Sequence, residues 1–130
     1  MCVFCEIING NIPTNKVYED EHTLAFLDLS QTTYGHTLVV PKKHVENFWD
    51  ADQDTIHHVM HTVKVVSGLL KEKLHCQGMN ILTNVNPVAG QTVMHFHVHL
   101  IPRYGKDDTI RIKFGENKVD TDALMDKLKK

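Results

Sequence analysis

The 130-residue chain contains no run of about 20 apolar residues, the length a helix needs to cross a bilayer. Its first residues, Met1-Cys2-Val3-Phe4-Cys5-Glu6, lack the basic and then apolar segments of a secretory leader, so a cytoplasmic protein with no membrane partner is expected. Neither sign of charge is in excess. With 14 Lys and Arg against 16 Asp and Glu, the net charge of −2 provides no basic field for a nucleic-acid backbone. Cysteine is sparse, and three is an odd number for a disulfide framework. Cys2-x-x-Cys5 reads instead as a metal or redox pair, with Cys76 a buried thiol at a helix end. Internal repeats, low-complexity tracts and linkers are also missing. A single domain over residues 1–130 follows, with an ordinary globular balance of 42% hydrophobic and 23% charged residues.

What the chain has in excess is histidine, 10 of 130 residues. Around it, the pattern of apolar residues predicts the elements. Phe4 to Ile8, stopped by Asn9-Gly10, reads as a short helix. Val17-Tyr18-Glu19 and Leu24 to Leu27 read as two strands of a hairpin, and His36 to Val40, ended by Pro41, as a buried third strand. From Asp52 the period changes to three and four: Ile56, Val59, Met60, Val63, Val66, Leu69, Leu70 and Leu74 mark one long helix, capped by Asp52 or Asp54. Its far face carries His57 and His61 at metal-ligand spacing, but with no acidic or thiol partner they read as a solvated face. Met79 to Thr83 and the alternating Val93 to Ile101, ended by Pro102, complete five strands, and a short amphipathic piece lies near Ala123, Leu124 and Leu128. The fold class is therefore α+β: a five-stranded antiparallel sheet in a meander, one long helix on a sheet face, and short terminal helices.

Alternation places His95, His97 and His99 on one face of the fifth strand, about 7 Å apart at roughly 3.3 Å rise per residue. Such a row supports three chemistries. It can chelate a metal that activates water, it can present one neutral imidazole as nucleophile or general base, or it can be a surface strand. The preceding loop favours the second: Asn84, Ala89-Gly90 and Gln91-Thr92 bring small residues, N–H groups and amide or hydroxyl donors that suit a phosphate.

At this point the residues carry a resemblance. Asp28-Leu29, Gly35-His36-Thr37-Leu38-Val39-Val40-Pro41-Lys42-Lys43-His44 and Ala89-Gly90-Gln91-Thr92-Val93-x-His95-x-His97-x-His99-x-x-Pro102-Arg103 resemble the histidine triad (HIT) family of nucleotide hydrolases and transferases, from about Cys2 to Tyr104. The resemblance implies that His97 attacks the α-phosphorus of a purine nucleotide, forming a nucleotidyl-histidine that water hydrolyses. His99 and His36 would flank the phosphate, Gly90 and Thr92 would give N–H groups to it, and Asn84 would lie at the phosphate and ribose. Asp28 would accept from the ribose hydroxyls with Leu29 against the base. It also implies a structural zinc on Cys2, Cys5, His44 and His95, and a homodimer. Purine nucleoside phosphoramidates or adenylyl conjugates are the expected substrates. Dinucleoside polyphosphates, or a binding scaffold without catalysis, are the competing readings. One departure is Asn86, where the family usually has Gly; a left-handed conformation, which Asn tolerates, is expected there.

Overall fold

The computed structural model describes residues 1–130. Its elements in chain order are α1 (Val3–Ile8), β1 (Lys16–Glu19), β2 (Thr23–Leu27), β3 (Thr37–Pro41), α2 (Gln53–Leu74), β4 (Gly78–Leu82), β5 (Val98–Arg103) and α3 (Thr121–Leu128). The strands form one antiparallel sheet in the order β1-β2-β3-β5-β4. The expected five strands and helices are all there. The meander, however, holds only for β1 to β3: the chain crosses over through α2 and returns at the far edge as β4, and β5 is inserted between β3 and β4.

Strand alternation divides the core in two. Ala25, Val39, Val98 and Leu100 face α2 and pack with its Val59, Val63, Val66 and Leu70. The intervening residues Leu24, Phe26, Leu38 and Val40 face the other way and bury Phe4 and Ile7 of α1. The side chain of Asp52 caps α2 by accepting from the Thr55 N–H, and the helix ends at His75 in a left-handed conformation. Cys76 follows, half-buried. The helix is long, but neither it nor any other is apolar enough to span a membrane. His57 and His61 are exposed, as expected of a solvated face, whereas His58 stacks on His22 with ring centroids 3.7 Å apart.

The fifth strand departs from the sequence reading at both ends. It begins at Val98, not Val93, and continues through Pro102 to Arg103. At its start, Pro41 lacks the N–H that would extend the β3–β5 ladder toward His97, and the Pro41 carbonyl is bonded to the His95 ring. At its end, the Arg103 carbonyl accepts from the Gln77 N–H on the β4 side, so the alternate residue Pro102 points its missing donor toward β3. There the ladder has already finished at Thr37–Leu100, so proline costs no rung. The histidine parity survives this change. Phe96, Val98 and Leu100 still pack toward α2, while His95 and His97 meet Phe4 of α1.

Gly35 sets up the third strand. Its φ of 95° lies in the left-handed region, and a Cβ there would sit 2.4 Å from Leu74 Cδ1, so the turn that presents His36 fits no other residue without adjustment.

Candidate functional site

A cleft of about 300 Å³ opens on the α1 side of the sheet. Its wall is apolar, from Val3, Phe4, Ile7, Phe26, Leu27 and Leu38, and its polar end is made by Asp28, Thr92, His97 and His99. Leu29 stands on the rim, 96% exposed. The cleft thus pairs an apolar slot with a small group of convergent polar side chains, the usual make-up of a small-molecule site.

The three triad histidines do not form one chelate, because each ring is bonded in a different direction. His97 is 6% exposed, and its Nδ1 lies 2.7 Å from the His95 carbonyl oxygen. A carbonyl can only accept, so Nδ1 carries the proton and Nε2 keeps the lone pair. His36 Nδ1 accepts from the Thr32 N–H at 3.3 Å, which puts its proton on Nε2; that nitrogen donates to His99 Nδ1 at 3.0 Å. His99 therefore carries its own proton on Nε2. One backbone N–H in a loop fixes the tautomers of two rings in series. The His97 and His99 ring centroids are 5.0 Å apart, closer than the 7 Å expected of a flat strand, because the ladder begins only at Val98.

Burial lowers the pKa of all three rings. For His97 it outweighs the bond to the His95 carbonyl and the charge of Asp28, and for His36 it outweighs the same charge. His99 is pushed to about 4 by burial and then by its neighbours His97 and His36. Neutral imidazoles with assigned lone pairs are the resting state near pH 7. Burial also works against ionisation of Asp28, but two hydrogen bonds from Ser30, at 2.7 and 2.8 Å, together with the adjacent histidines, hold its carboxyl below the usual range. Its other oxygen stands 3.8 Å from His36 Nε2.

The second cluster lies behind the row. Cys2, Cys5, His44 and His95 bring their ligand atoms within 4.8 Å of one another. His95 Nδ1 is 3.1 Å from His44 Nδ1, 3.4 Å from Cys2 Sγ and 3.6 Å from Cys5 Sγ, and Cys5 Sγ is 3.3 Å from His44 Nδ1. A tetrahedron with metal–sulfur and metal–nitrogen bonds of the zinc type has edges of roughly 3.3 to 3.8 Å, so both geometry and donor set fit such an ion. His95 is 0% exposed and donates from Nε2 to the Pro41 carbonyl at 2.8 Å, which turns the Nδ1 lone pair to the thiols. Asp28, His36 and His99 also lie within 4.8 Å of one another, but His36 Nε2 and His99 Nδ1 are bonded to each other and His36 Nδ1 accepts from the Thr32 N–H.

The loop from Asn84 to Thr92 differs from the sequence reading at three positions. Gly90 has φ 104°, but its N–H bonds to the Pro87 carbonyl at 2.9 Å, so it has none to offer a ligand. Gln91 is 3% exposed and spends its whole amide internally: Nε2 donates to the carbonyls of Glu46 and Val93, and Oε1 accepts from the Asn86 N–H. It braces the loop and does not reach the cleft. Asn86 has φ 72° and ψ 158°, an extended conformation of positive φ that suits glycine almost alone, because Pro87 excludes helical ψ at the preceding residue. Thr92 does line the cleft, and Asn84 rests beside Gly90. Sequence reading missed Ser30, Gln31, Thr32 and Thr83. Gln31 ties the carbonyls of Asp28 and His36 and the Gly35 N–H, and Thr83 donates to the His97 carbonyl. Only Ser30 had a signal, the Asp-x-Ser pattern of an Asx turn.

The chain belongs to the HIT family: residues 9–106 match the HIT domain. A HIT-like protein of Methanocaldococcus jannaschii is 51% identical over 130 residues, 99% of each chain. A HIT family protein from Bacillus anthracis superposes with a TM-score of 0.92 at 42% identity, covering 98% of this chain and 92% of that one. A Zn-bound histidine triad family protein from Mycobacterium smegmatis has a TM-score of 0.79 at 33% identity, over 98% and 96% of the two chains. Two curated relatives carry named activities. An adenosine 5'-monophosphoramidase of Schizosaccharomyces pombe is 35% identical over 102 residues, 78% of this chain and 74% of its own. An adenylylsulfatase of Arabidopsis thaliana is 34% identical over 106 residues, 82% and 54%.

Two outcomes follow from this geometry. Asn86→Gly releases this strained φ, worth about 1 to 3 kcal/mol, and gives up the 3.3 Å bond that buried Asn47 donates from Nδ2 to Asn86 Oδ1, worth about 1 kcal/mol, so stability changes by less than about 1 kcal/mol; a loss above about 2 kcal/mol in chemical denaturation would count against strain at this residue. The second concerns acid. Above pH 6.5 His99 is neutral folded and unfolded; as pH falls from 6.5 toward about 4, the unfolded chain takes the proton first, and stability drops through that window. In His99→Gln the same titration has a shallower slope; an unchanged slope would mean that His99 is not the group resisting protonation.

Proposed function

We propose that this chain hydrolyses purine nucleotides at the α-phosphorus, with nucleoside phosphoramidates or adenylyl conjugates as substrates and a nucleotidyl intermediate on His97. The observation that carries this reading is the fixed tautomer of His97: Nδ1–H bonded to the His95 carbonyl, and an Nε2 lone pair at the polar end of an apolar cleft. The slot of Phe26, Leu27 and Leu29 takes the base, and Asp28 accepts from the ribose. His97 Nε2 attacks phosphorus, the bond from phosphorus to the leaving nitrogen or oxygen breaks, and a leaving amine takes up a proton from solvent, to which the water of the second step returns one. Water then attacks the same phosphorus from the opposite side, gives up a proton and returns His97 to its Nδ1–H form. His99 Nε2–H and the N–H of Thr92 are the donors available to the phosphoryl oxygens, since those of Gly90 and Gln91 are engaged. The monophosphoramidase and adenylylsulfatase relatives support this choice of substrate class.

Zinc on Cys2, Cys5, His44 and His95 belongs to the same proposal. Two thiolates and two imidazoles close its shell, so it supplies rigidity and leaves the chemistry to His97. A homodimer is proposed as well. Support comes from Met60 and Val65 on α2, Ile81 on β4, and Ile112, Phe114, Leu124 and Leu128 of the C-terminal arm, all apolar and exposed.

His97→Ala lowers turnover of an adenosine phosphoramidate by about a thousandfold or more, the scale of a lost nucleophile, while AMP binding stays within a few-fold. Near-wild-type turnover in that variant would remove His97 from the mechanism. A dinucleoside tetraphosphate assayed alongside is the poorer substrate; a reversed preference would shift the reading to polyphosphates. Metal analysis finds about one zinc per chain, and chelation lowers stability by about 4 kcal/mol for a site held a thousandfold above its dissociation constant. An unchanged melting temperature after verified removal of zinc would rule out a structural role for the ion.

A further inference from the structure

The N-terminal helix serves two sites at once. Cys2 is the N-cap of α1, its Sγ accepting from the Cys5 N–H, and Cys5 lies in the first turn, so both thiols of the metal group hang on this helix. Val3, Phe4 and Ile7 of the same helix wall the cleft. A helix of 6 residues does not hold its form in isolation, so α1 depends on its attachments. These are the burial of Phe4 and Ile7 on one side and the link from Cys2 and Cys5 to His44 and His95 on the other.

Phe4 stands between the two cysteines in sequence and between the two sites in space. Its ring meets the metal-group residue His95 edge-on, centroids 5.9 Å apart and planes at 70°. It meets His97 in the same manner at 5.1 Å and 89°, with Phe26 behind it at 5.5 Å. The bond from His97 Nδ1 to the His95 carbonyl fixes one end of the His97 ring, but rotation about that bond leaves Nε2 free to swing. The perpendicular contact with Phe4, centroids 5.1 Å apart, packs against the ring and opposes that motion. His95 itself gains little position from a metal, since it is fully buried and bonded to the Pro41 carbonyl. The element whose place depends on the metal group is α1.

We infer that Phe4 is a positioning residue that couples the metal group to the nucleotide cleft. When Cys2 and Cys5 are tied to His44 and His95, α1 holds Phe4 against His97 and keeps the cleft wall closed; when they are released, the wall loosens and nucleotide affinity falls. By linkage, bound nucleotide raises metal affinity by the same factor. The inference rests on the nucleotide and zinc assignments proposed above.

AMP is titrated calorimetrically into the zinc-loaded chain and the chelated chain, and zinc affinity is measured by chelator competition with and without AMP. In the wild type both quantities shift by about tenfold, an ordinary size for coupled sites. Phe4→Leu keeps the four ligands and apolar bulk but loses the ring edge; it still binds zinc, and both shifts fall toward one. A residue that only fills the core would weaken stability and leave the coupling factor alone. Phe4→Met makes the same comparison should Phe4→Leu not fold. Equal AMP affinity with and without zinc, undiminished coupling in the variant, or unfolding of the chelated chain would each overturn the proposal. Absence of AMP binding by the zinc-loaded wild type would overturn the nucleotide reading with it, whereas binding without coupling overturns this inference alone.

Discussion

His95 holds the site together through three separate bonds. Its Nε2–H reaches the Pro41 carbonyl across the end of β3, its Nδ1 lone pair joins His44 and the two thiols, and its own carbonyl accepts the Nδ1–H of His97. Remove the first and the ring is free to turn its lone pair from the thiols. Remove the third and His97 can carry its proton on either nitrogen. The residue is fully buried, so each of these bonds is formed in a low-dielectric setting where a missing partner costs about 1 to 3 kcal/mol. That cost is what makes the arrangement single-valued.

Much of this was legible in the residues. The two-residue period placed the three histidines on one side, and the three-four period located α2 from its cap at Asp52. The HIT resemblance grouped Cys2 and Cys5 with His44 and His95 across long sequence separations, and the ligand atoms of these four lie within 4.8 Å of one another. Spacing alone could not have done that, since His57 and His61 show metal-ligand spacing and stay on the surface. What stayed hidden were hydrogen bonds that one backbone group makes at the expense of another. Gly90 and Gln91 read as donors to a phosphate because their types suit it, yet the 3₁₀ turn Pro87–Ala89 and the buried amide of Gln91 use those donors first. Likewise, nothing in the residue type of Thr32 indicates that its main-chain N–H sets the tautomers of His36 and His99. The early end of the β3–β5 ladder follows from Pro41, a residue the sequence does display, but only once the register is known.

The polar end of the cleft is tuned by burial more than by charge. Burial is the largest influence on His36, His97 and His99, and the single carboxylate nearby, Asp28, only moderates it. A neutral site of this kind presents imidazole lone pairs and N–H donors with no fixed cation beside them, so any negative charge placed there would be met by N–H groups. The apolar wall from α1 and β2 lines the rest of the cleft.

The acceptor that fixes the His97 tautomer belongs to the main chain, and this separates two features that sit side by side. Any residue at position 95 supplies a carbonyl at the same place, so the protonation state of His97 is indifferent to the side chain there. A substitution of the His95 side chain alone would therefore keep the Nδ1–H tautomer of His97 while removing one of the four residues of the metal group. The side chain at position 95 thus bears on the metal group and its backbone on His97, two tasks that one residue carries through different atoms.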